Sequence, residues 1–340
     1  MRKNIIDNIN SSVNNSTDHT ENYEYMQDFQ AMGTTIQLQF NAPKQEWKRI
    51  AEKSIRLIDN LEQVMSFYKI DSQISQLNNR AGKEWLSVSP ELFFICTEAK
   101  RYARLTEGFF DITVAALTEI WQLYGKNEKI PPQSIIENRM KLTNYEGILI
   151  DEENKKIKLE KEGQKIDLGG IAKGYAANRV ISLYRELGIK SGLVNLGGNV
   201  SLLGCHYNGK FWGVGLQNPN NLRGECLGVL LLENTSVVTS GDYERFFSES
   251  NKYYHHILDP FTGYPARGGL RSVIIVHQDS MLADVLSTAV FILGMNRGIE
   301  LIKNFEDVEV IMITDNEIYL SSKIIKSFHL TENCFTVFQI

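Results

Sequence analysis

The chain has 340 residues, 43% of them hydrophobic and 23% charged, the balance of a globular protein long enough to bury a large core and not of a disordered or fibrous one. Its formal net charge is −5 and it carries no block of about five or more like charges, which excludes the basic face that nucleic acid requires. No stretch reaches the ~18–20 consecutive apolar residues of a membrane helix, and Cys96, Cys205, Cys226 and Cys334 stand too far apart for a zinc site or a disulfide framework.

Residues 1–24 are rich in Asn, Ser, Thr and Asp, cannot bury enough surface to offset the entropy of ordering, and are expected to form a mobile tail ahead of one folded unit over 25–340. This start lacks the apolar segment of a signal peptide, so a cytoplasmic location is expected. Thr34 to Phe40 alternates apolar and polar residues as a half-buried strand does. Trp47, Ile50, Ala51, Ser54, Leu57, Ile58, Leu61, Val64 and Met65 follow at helical spacing and predict a long amphipathic helix. Ser89-Pro90-Glu91 opens a second helix, a cap followed by proline in the first turn, which closes near Gly108.

Beyond Pro131-Pro132, ILIDEENKKIKL reads as two short strands around a polar turn, and KIDLGGIAKGYAANRVISLYRELG as strand, glycine turn, helix and terminating Gly188. Short β-like runs dominate residues 192–277: GLVNLGG, FWGVGLQ, LGVLLLE, SVVTSG, YYHHIL and RSVIIVH. The helical run DSMLADVLSTAVFILGM and the strands EVIMIT and EIYL complete the core. Strands cluster instead of alternating with helices, so the fold class is α+β and not a doubly wound parallel sheet.

Several segments could carry chemistry. In DLGGIAKGYA, Asp167 to Ala176, paired glycines lead into a helix whose first N–H groups suit an anion, although the same pattern serves a purely structural turn. No Lys-Ser or Lys-Thr follows those glycines, so it is not a P-loop. In ADVLSTA, Asp284, Ser287 and Thr288 fall at i, i+3 and i+4 and share a helical face. Three hard oxygens there suit Mg²⁺, or a polar stripe facing water. The apolar neighbours Leu282, Val285, Leu286, Val290 and Phe291 favour a partly buried Asp284 that needs a partner. HHILDPFTGYP delivers His256 to a turn-rich loop. Glycine-bearing loops around Asn195, Gly197 and Gly198 and from Thr239, the second with the cation Arg245, add backbone donors. GFFDIT at Gly108 reads as a helix terminus packed on the core, or as a platform for a flat ligand.

Taken in order, MGTT at Met32, GFFDITV at Gly108, DLGGIAKGYA at Asp167, NLGGN at Asn195, TSGDYERFF at Thr239, HILDPFTGYP at His256 and ADVLSTAVFILG at Ala283 resemble the ApbE family of FAD:protein FMN transferases over about residues 30 to 300. The resemblance implies a T-fold-like α+β core. It implies an enzyme that uses Mg²⁺ to cleave FAD, joins FMN to a Thr or Ser hydroxyl of a target flavoprotein and releases AMP. Position by position, Asp284, Thr288 and the carbonyl of Gly170 match the family's metal ligands, with Ser287 beside them. Met32, Phe109, Phe110, Asp111, Asp167, Lys173 and Leu258 match its FAD contacts, and His256 its catalytic histidine. As base, His256 is expected to titrate near the unperturbed ~6.5. Phe261 departs from the family's Arg in DPRTG and takes a cation out of that loop. An Mg²⁺-dependent FAD pyrophosphatase giving free FMN and AMP, and a flavin carrier without turnover, are the competing readings.

Overall fold

A computed structural model describes residues 22–121, 129–249, 252–332 and 334–340. In chain order the strands are β1 (Tyr23–Ala31), β2 (Thr34–Ala42), β3 (Leu86–Ser87), β4 (Ile148–Asp151), β5 (Lys156–Leu159), β6 (Gly192–Leu196), β7 (Asn199–Leu203), β8 (Trp212–Gln217) and β9 (Cys226–Leu232). They continue with β10 (Ser236–Gly241), β11 (Phe246–Glu249), β12 (Lys252–His255), β13 (Ser272–His277), β14 (Glu309–Ile313), β15 (Glu317–Leu320), β16 (Phe328–Leu330) and β17 (Thr336–Gln339). The helices are α1 (Trp47–Met65), α2 (Gln73–Asn79), α3 (Pro90–Leu105), α4 (Ala115–Trp121), α5 (Gln133–Met140), α6 (Ala172–Glu186) and α7 (Ser280–Ile302).

A 9-stranded sheet in the order β1-β2-β6-β7-β10-β13-β14-β15-β17 organises the molecule, antiparallel except for the final β15–β17 pair. Its central strands are covered on both sides, which is why RSVIIVH and EVIMI are apolar without alternation. Val273, Ile275, Val310 and Met312 face a core shared with α1, α3, α6 and α7. Ile274, Val276, Ile311 and Ile313 face a second core built with Trp212, Val214, Leu216 and Leu230 of β8 and β9, which pair with β16 as a 3-stranded sheet. This is the α+β arrangement the clustered strands predict. The helix α7 is apolar enough to cross a membrane by composition, yet 61% of that apolar window is buried inside the fold.

Two expectations need correction. The boundary of the expected tail falls inside β1, where Tyr25 stacks on Phe40 at 4.8 Å and Trp47 lies 5.4 Å away, so Tyr23 and Glu24 are strand residues; the earlier part of that tail lies outside the described residues. The strand predicted before the DLGG turn joins no sheet among the described residues. A side chain takes the place of a neighbouring strand: the Asn78 amide accepts from Ile166 N at 2.8 Å and donates to Ile166 O at 3.0 Å. Asp167 N donates to Ile112 O at 2.9 Å, so the backbone is satisfied without a ladder.

Candidate active site

A cleft of about 680 Å³ opens at one end of the large sheet and is lined from most of the chain's length. Its first wall is the turn between β1 and β2, where Met32 and Gly33 have φ of 51° and 71°, the pair of positive values a tight twisted hairpin demands. The Met32 amide donates to Glu62 Oε1 at 2.9 Å, and Glu62 Oε2 pairs with Lys69 at 2.8 Å. Glu62, Tyr68 and Lys69 all line the cleft, and sequence reasoning missed them. Their one signal is position, Glu62 in the last turn of the amphipathic α1 and Tyr68 and Lys69 just beyond its end.

The DLGG turn and α7 form the floor. Asp167 accepts from Gly169 N at 2.9 Å; burial raises its pKa, and that amide and the positive charge of Arg245 work against the rise. Lys173 lies in the first turn of α6 and lines the cleft. Asp284 is 4% exposed and its Oδ2 accepts from Gly174 N at 2.9 Å, so α7 supplies the carboxylate that caps a free amide of α6. Burial raises the Asp284 pKa, with the charge of Lys173 the chief opposing influence. Close packing makes this possible: a Cβ at Gly174 would lie 2.3 Å from Ser280 O.

Thr288 and Gly170 meet in the same place, a Cβ built on Gly170 falling 3.5 Å from Thr288 Oγ1. Among the described residues no three His, Cys, Asp or Glu side chains gather as a metal cluster. The candidate donors are the Asp284 carboxylate, the Thr288 hydroxyl and a backbone carbonyl of the glycine turn, a hard-oxygen set of the kind that fits Mg²⁺. Ser287 is turned elsewhere. It is fully buried and absent from the cleft wall, and its hydroxyl lies 2.9 Å from Asp284 O and 2.8 Å from Ser240 Oγ.

The structure separates the two adjacent histidines. His255 is buried, its Nε2 2.9 Å from Ala266 O and its ring edge-on to Phe291, whereas His256 lines the cleft. His256 Nδ1 lies 3.3 Å from the Arg245 carbonyl, which can only accept, so the neutral ring carries its proton on Nδ1 and keeps a lone pair on Nε2. Burial first, and then the charge of Arg245, push its pKa down to about 3, well below the value near 6.5 expected from sequence.

Phe109, Phe110 and Leu258 line the cleft. Asp111 does so too, but its carboxylate is engaged by its own scaffold: Oδ1 accepts from Thr113 N at 2.8 Å and Thr113 Oγ1 at 2.6 Å, and Oδ2 accepts from Tyr145 N at 3.0 Å. Burial lifts its pKa to about 6 against those bonds. Phe261 rests on Phe109 with ring centroids 4.8 Å apart, and the Arg297 guanidinium lies 4.5 Å from the Phe109 ring centroid. A cation therefore stands near this loop, supplied by α7 instead of by the turn.

The sequence model of the ApbE family matches residues 32–312. A FAD:protein FMN transferase of Klebsiella pneumoniae is 34% identical over 274 residues, covering 80% of this chain and 85% of its own. One of Treponema pallidum is 29% identical over 310 residues, covering 87% and 85%. Among solved structures, the ApbE protein of Thermotoga maritima superposes with a TM-score of 0.79 at 34% identity, covering 85% of this chain and 94% of that one. The flavin transferase ApbE of Vibrio cholerae gives 0.80 at 25% identity, covering 90% and 99%.

Proposed function

Since the chain belongs to the ApbE family, we propose that it is an FAD:protein FMN transferase. It breaks the pyrophosphate bond of FAD, joins the FMN phosphorus to a Thr or Ser oxygen of a target flavoprotein, and releases AMP and the hydroxyl proton. The observation that carries this reading is the convergence of His256, Lys173, Asp284, Thr288 and the DLGG turn on one cleft walled by Phe109 and Leu258.

Positioning and charge neutralisation do most of the work in phosphoryl transfer. His256 Nε2 takes the proton of the acceptor hydroxyl, while Arg245 O fixes the ring through Nδ1. Lys173 and Arg245, both on the cleft wall, face the pyrophosphate. Phe109, Phe110, Met32 and Leu258 provide apolar surface for the flat parts of FAD. Asp167 holds the glycine turn open through Gly169, and Asp111 acts through the loop it braces, since both its oxygens are occupied. Asp284, Thr288 and the Gly170 carbonyl would hold Mg²⁺, with Ser287 supporting Asp284 from behind. The chemistry such a cation supplies when bound is neutralisation of negative charge on the pyrophosphate oxygens.

The test is intact-mass spectrometry of a candidate flavoprotein after incubation with the protein, FAD and Mg²⁺, with AMP and FMN quantified in the same tube. A mass gain equal to FMN with matching AMP, both abolished by chelation, is the expected result. Free FMN and AMP without labelling of two different acceptors would make the protein a pyrophosphatase, and FAD retention without turnover would make it a carrier.

A further inference from the structure

Asn199, at the start of β7, is 1% exposed and lies outside the cleft wall. Its Oδ1 accepts from Ser280 Oγ at 2.7 Å. Ser280 is itself fixed, its N–H donating to Asn178 Oδ1 at 2.9 Å while Asn178 Nδ2 donates to the helix cap Asp279 at 2.6 Å. With Oδ1 taken by the Ser280 hydroxyl, the Asn199 amide has Nδ2 left as a donor. That donor is enclosed by protein and makes no hydrogen bond, an exposed cost for a buried polar group unless a partner is meant to take it.

A candidate on the same helix as Ser280 is Asp284. Ser280 and Asp284 are four residues apart on α7 and occupy one face, so an amide seated on Ser280 has the Asp284 carboxylate one turn along. Gly174 N already holds Oδ2, and a second donor would fix the rotation of the whole group. We propose that Asn199 is a positioning residue for the cation site: Nδ2, locked by the Ser280 hydroxyl, donates to Asp284 and keeps its carboxylate turned toward Thr288 and Gly170. This rests on the reading of Asp284 as a Mg²⁺ ligand. Donors behind a ligating carboxylate set the affinity of the site as the ligand itself does.

The experiment is Mn²⁺ binding to the full chain without FAD, followed by electron paramagnetic resonance, for wild type, Asn199→Ala, Ser280→Ala and the double variant, with melting curves alongside. Asn199→Ala is expected to weaken Mn²⁺ binding by about 10–100-fold. Ser280→Ala, which removes one oxygen and frees the amide to rotate, is expected to weaken it less. The double variant should bind no more weakly than Asn199→Ala, because the hydroxyl acts only through the amide. In turnover, the defect should sit in the Mg²⁺ half-saturation and be recovered at high Mg²⁺. Unchanged Mn²⁺ affinity in both single variants, with or without a lower melting temperature, overturns the positioning role and leaves the magnesium reading intact. Should Asn199→Ala fail to fold, Ser280→Ala with wild-type affinity is enough to overturn it. A wild-type chain that binds no Mn²⁺ overturns the magnesium reading and this inference together.

Discussion

His255 and His256 are neighbours in the chain with opposite surroundings, and the difference decides which can act. His255 spends Nε2 on Ala266 O; His256 keeps Nε2 for the cleft. A pKa pushed down to about 3 means that the free enzyme holds His256 neutral throughout the physiological range, so its basic form needs no deprotonation there. Bound FAD brings the negative charge of its pyrophosphate, which favours the imidazolium and moves the pKa upward. The acid limb of kcat, which reports the FAD-bound enzyme, is therefore expected at higher pH than any acid limb of kcat/KM, which reports the free enzyme. Rate profiles between pH 4.5 and 8.5 check this, and two superimposed limbs near 6.5 would contradict it. His256→Gln is expected to lower kcat by about 10²–10⁴-fold, the usual worth of a positioned general base, with FAD affinity kept within a few-fold; lost affinity with kcat intact would recast His256 as a ligand contact. The candidate residues were legible from sequence because each belongs to an ordered motif. The roles of Asp111 and Ser287 were not, since they depend on Thr113, Tyr145 and Ser240, partners brought in by folding.

The crossing of α6 and α7 joins the glycine turn to the Asp284 carboxylate, and it has a stability signature of its own. Alanine is the better helix former by about 1 kcal/mol, so propensity alone would make Gly174→Ala stabilising. The new Cβ would lie 2.3 Å from Ser280 O, a backbone atom, and overpacking of this kind costs about 1–3 kcal/mol or more. Packing wins: urea denaturation is expected to show Gly174→Ala destabilised, with transfer activity reduced as Asp284 moves from Gly174 N. Asp284→Asn separates the two duties of that carboxylate. An amide oxygen still accepts from Gly174 N, so that helix-capping bond is kept while turnover at saturating Mg²⁺ falls on the order of 100-fold or more, the loss expected from removing a metal's charged ligand. Wild-type turnover in Asp284→Asn would end its assignment as a cation ligand. The helices α1, α3, α6 and α7 were legible because caps and apolar stripes are local signals. The strand β1 was not, its alternation of Tyr25, Gln27 and Phe29 being broken by a glutamine on the face that packs toward α1. The order of the nine strands was not legible either, since it is fixed by long-range pairing such as β2 with β6.

Charge at the scale of the molecule sets the conditions under which FAD can enter. The chain carries −5 overall, and the described cleft wall holds the carboxyl groups of Glu62, Asp111, Asp167, Glu244 and Asp284 against three cations, Lys69, Lys173 and Arg245. Lys69 is paired with Glu62 at 2.8 Å and Arg245 offsets Asp167. That leaves Lys173, shared with Asp284, and Arg245, shared with Asp167, for an incoming pyrophosphate. Carboxyl groups outnumber cations on this wall, so a divalent cation joining Asp284 would offset the charge that an incoming dianion meets, and low-dielectric walls would strengthen the effect. The cation should therefore govern binding of FAD as well as its cleavage. Flavin-fluorescence titration is expected to give a dissociation constant for FAD at least about tenfold lower with Mg²⁺ than with chelator, each tenfold corresponding to about 1.4 kcal/mol of coupling. By the reciprocity of linkage, FAD should tighten Mn²⁺ binding by the same factor. Asp284→Asn removes one negative charge and the cation's anchor together, so FAD affinity in this variant should become nearly independent of Mg²⁺ and lie between the two wild-type values. Equal FAD affinity in wild type with Mg²⁺ and with chelator would mean that Lys173 and Arg245 suffice for the pyrophosphate, and would confine the cation to the chemical step.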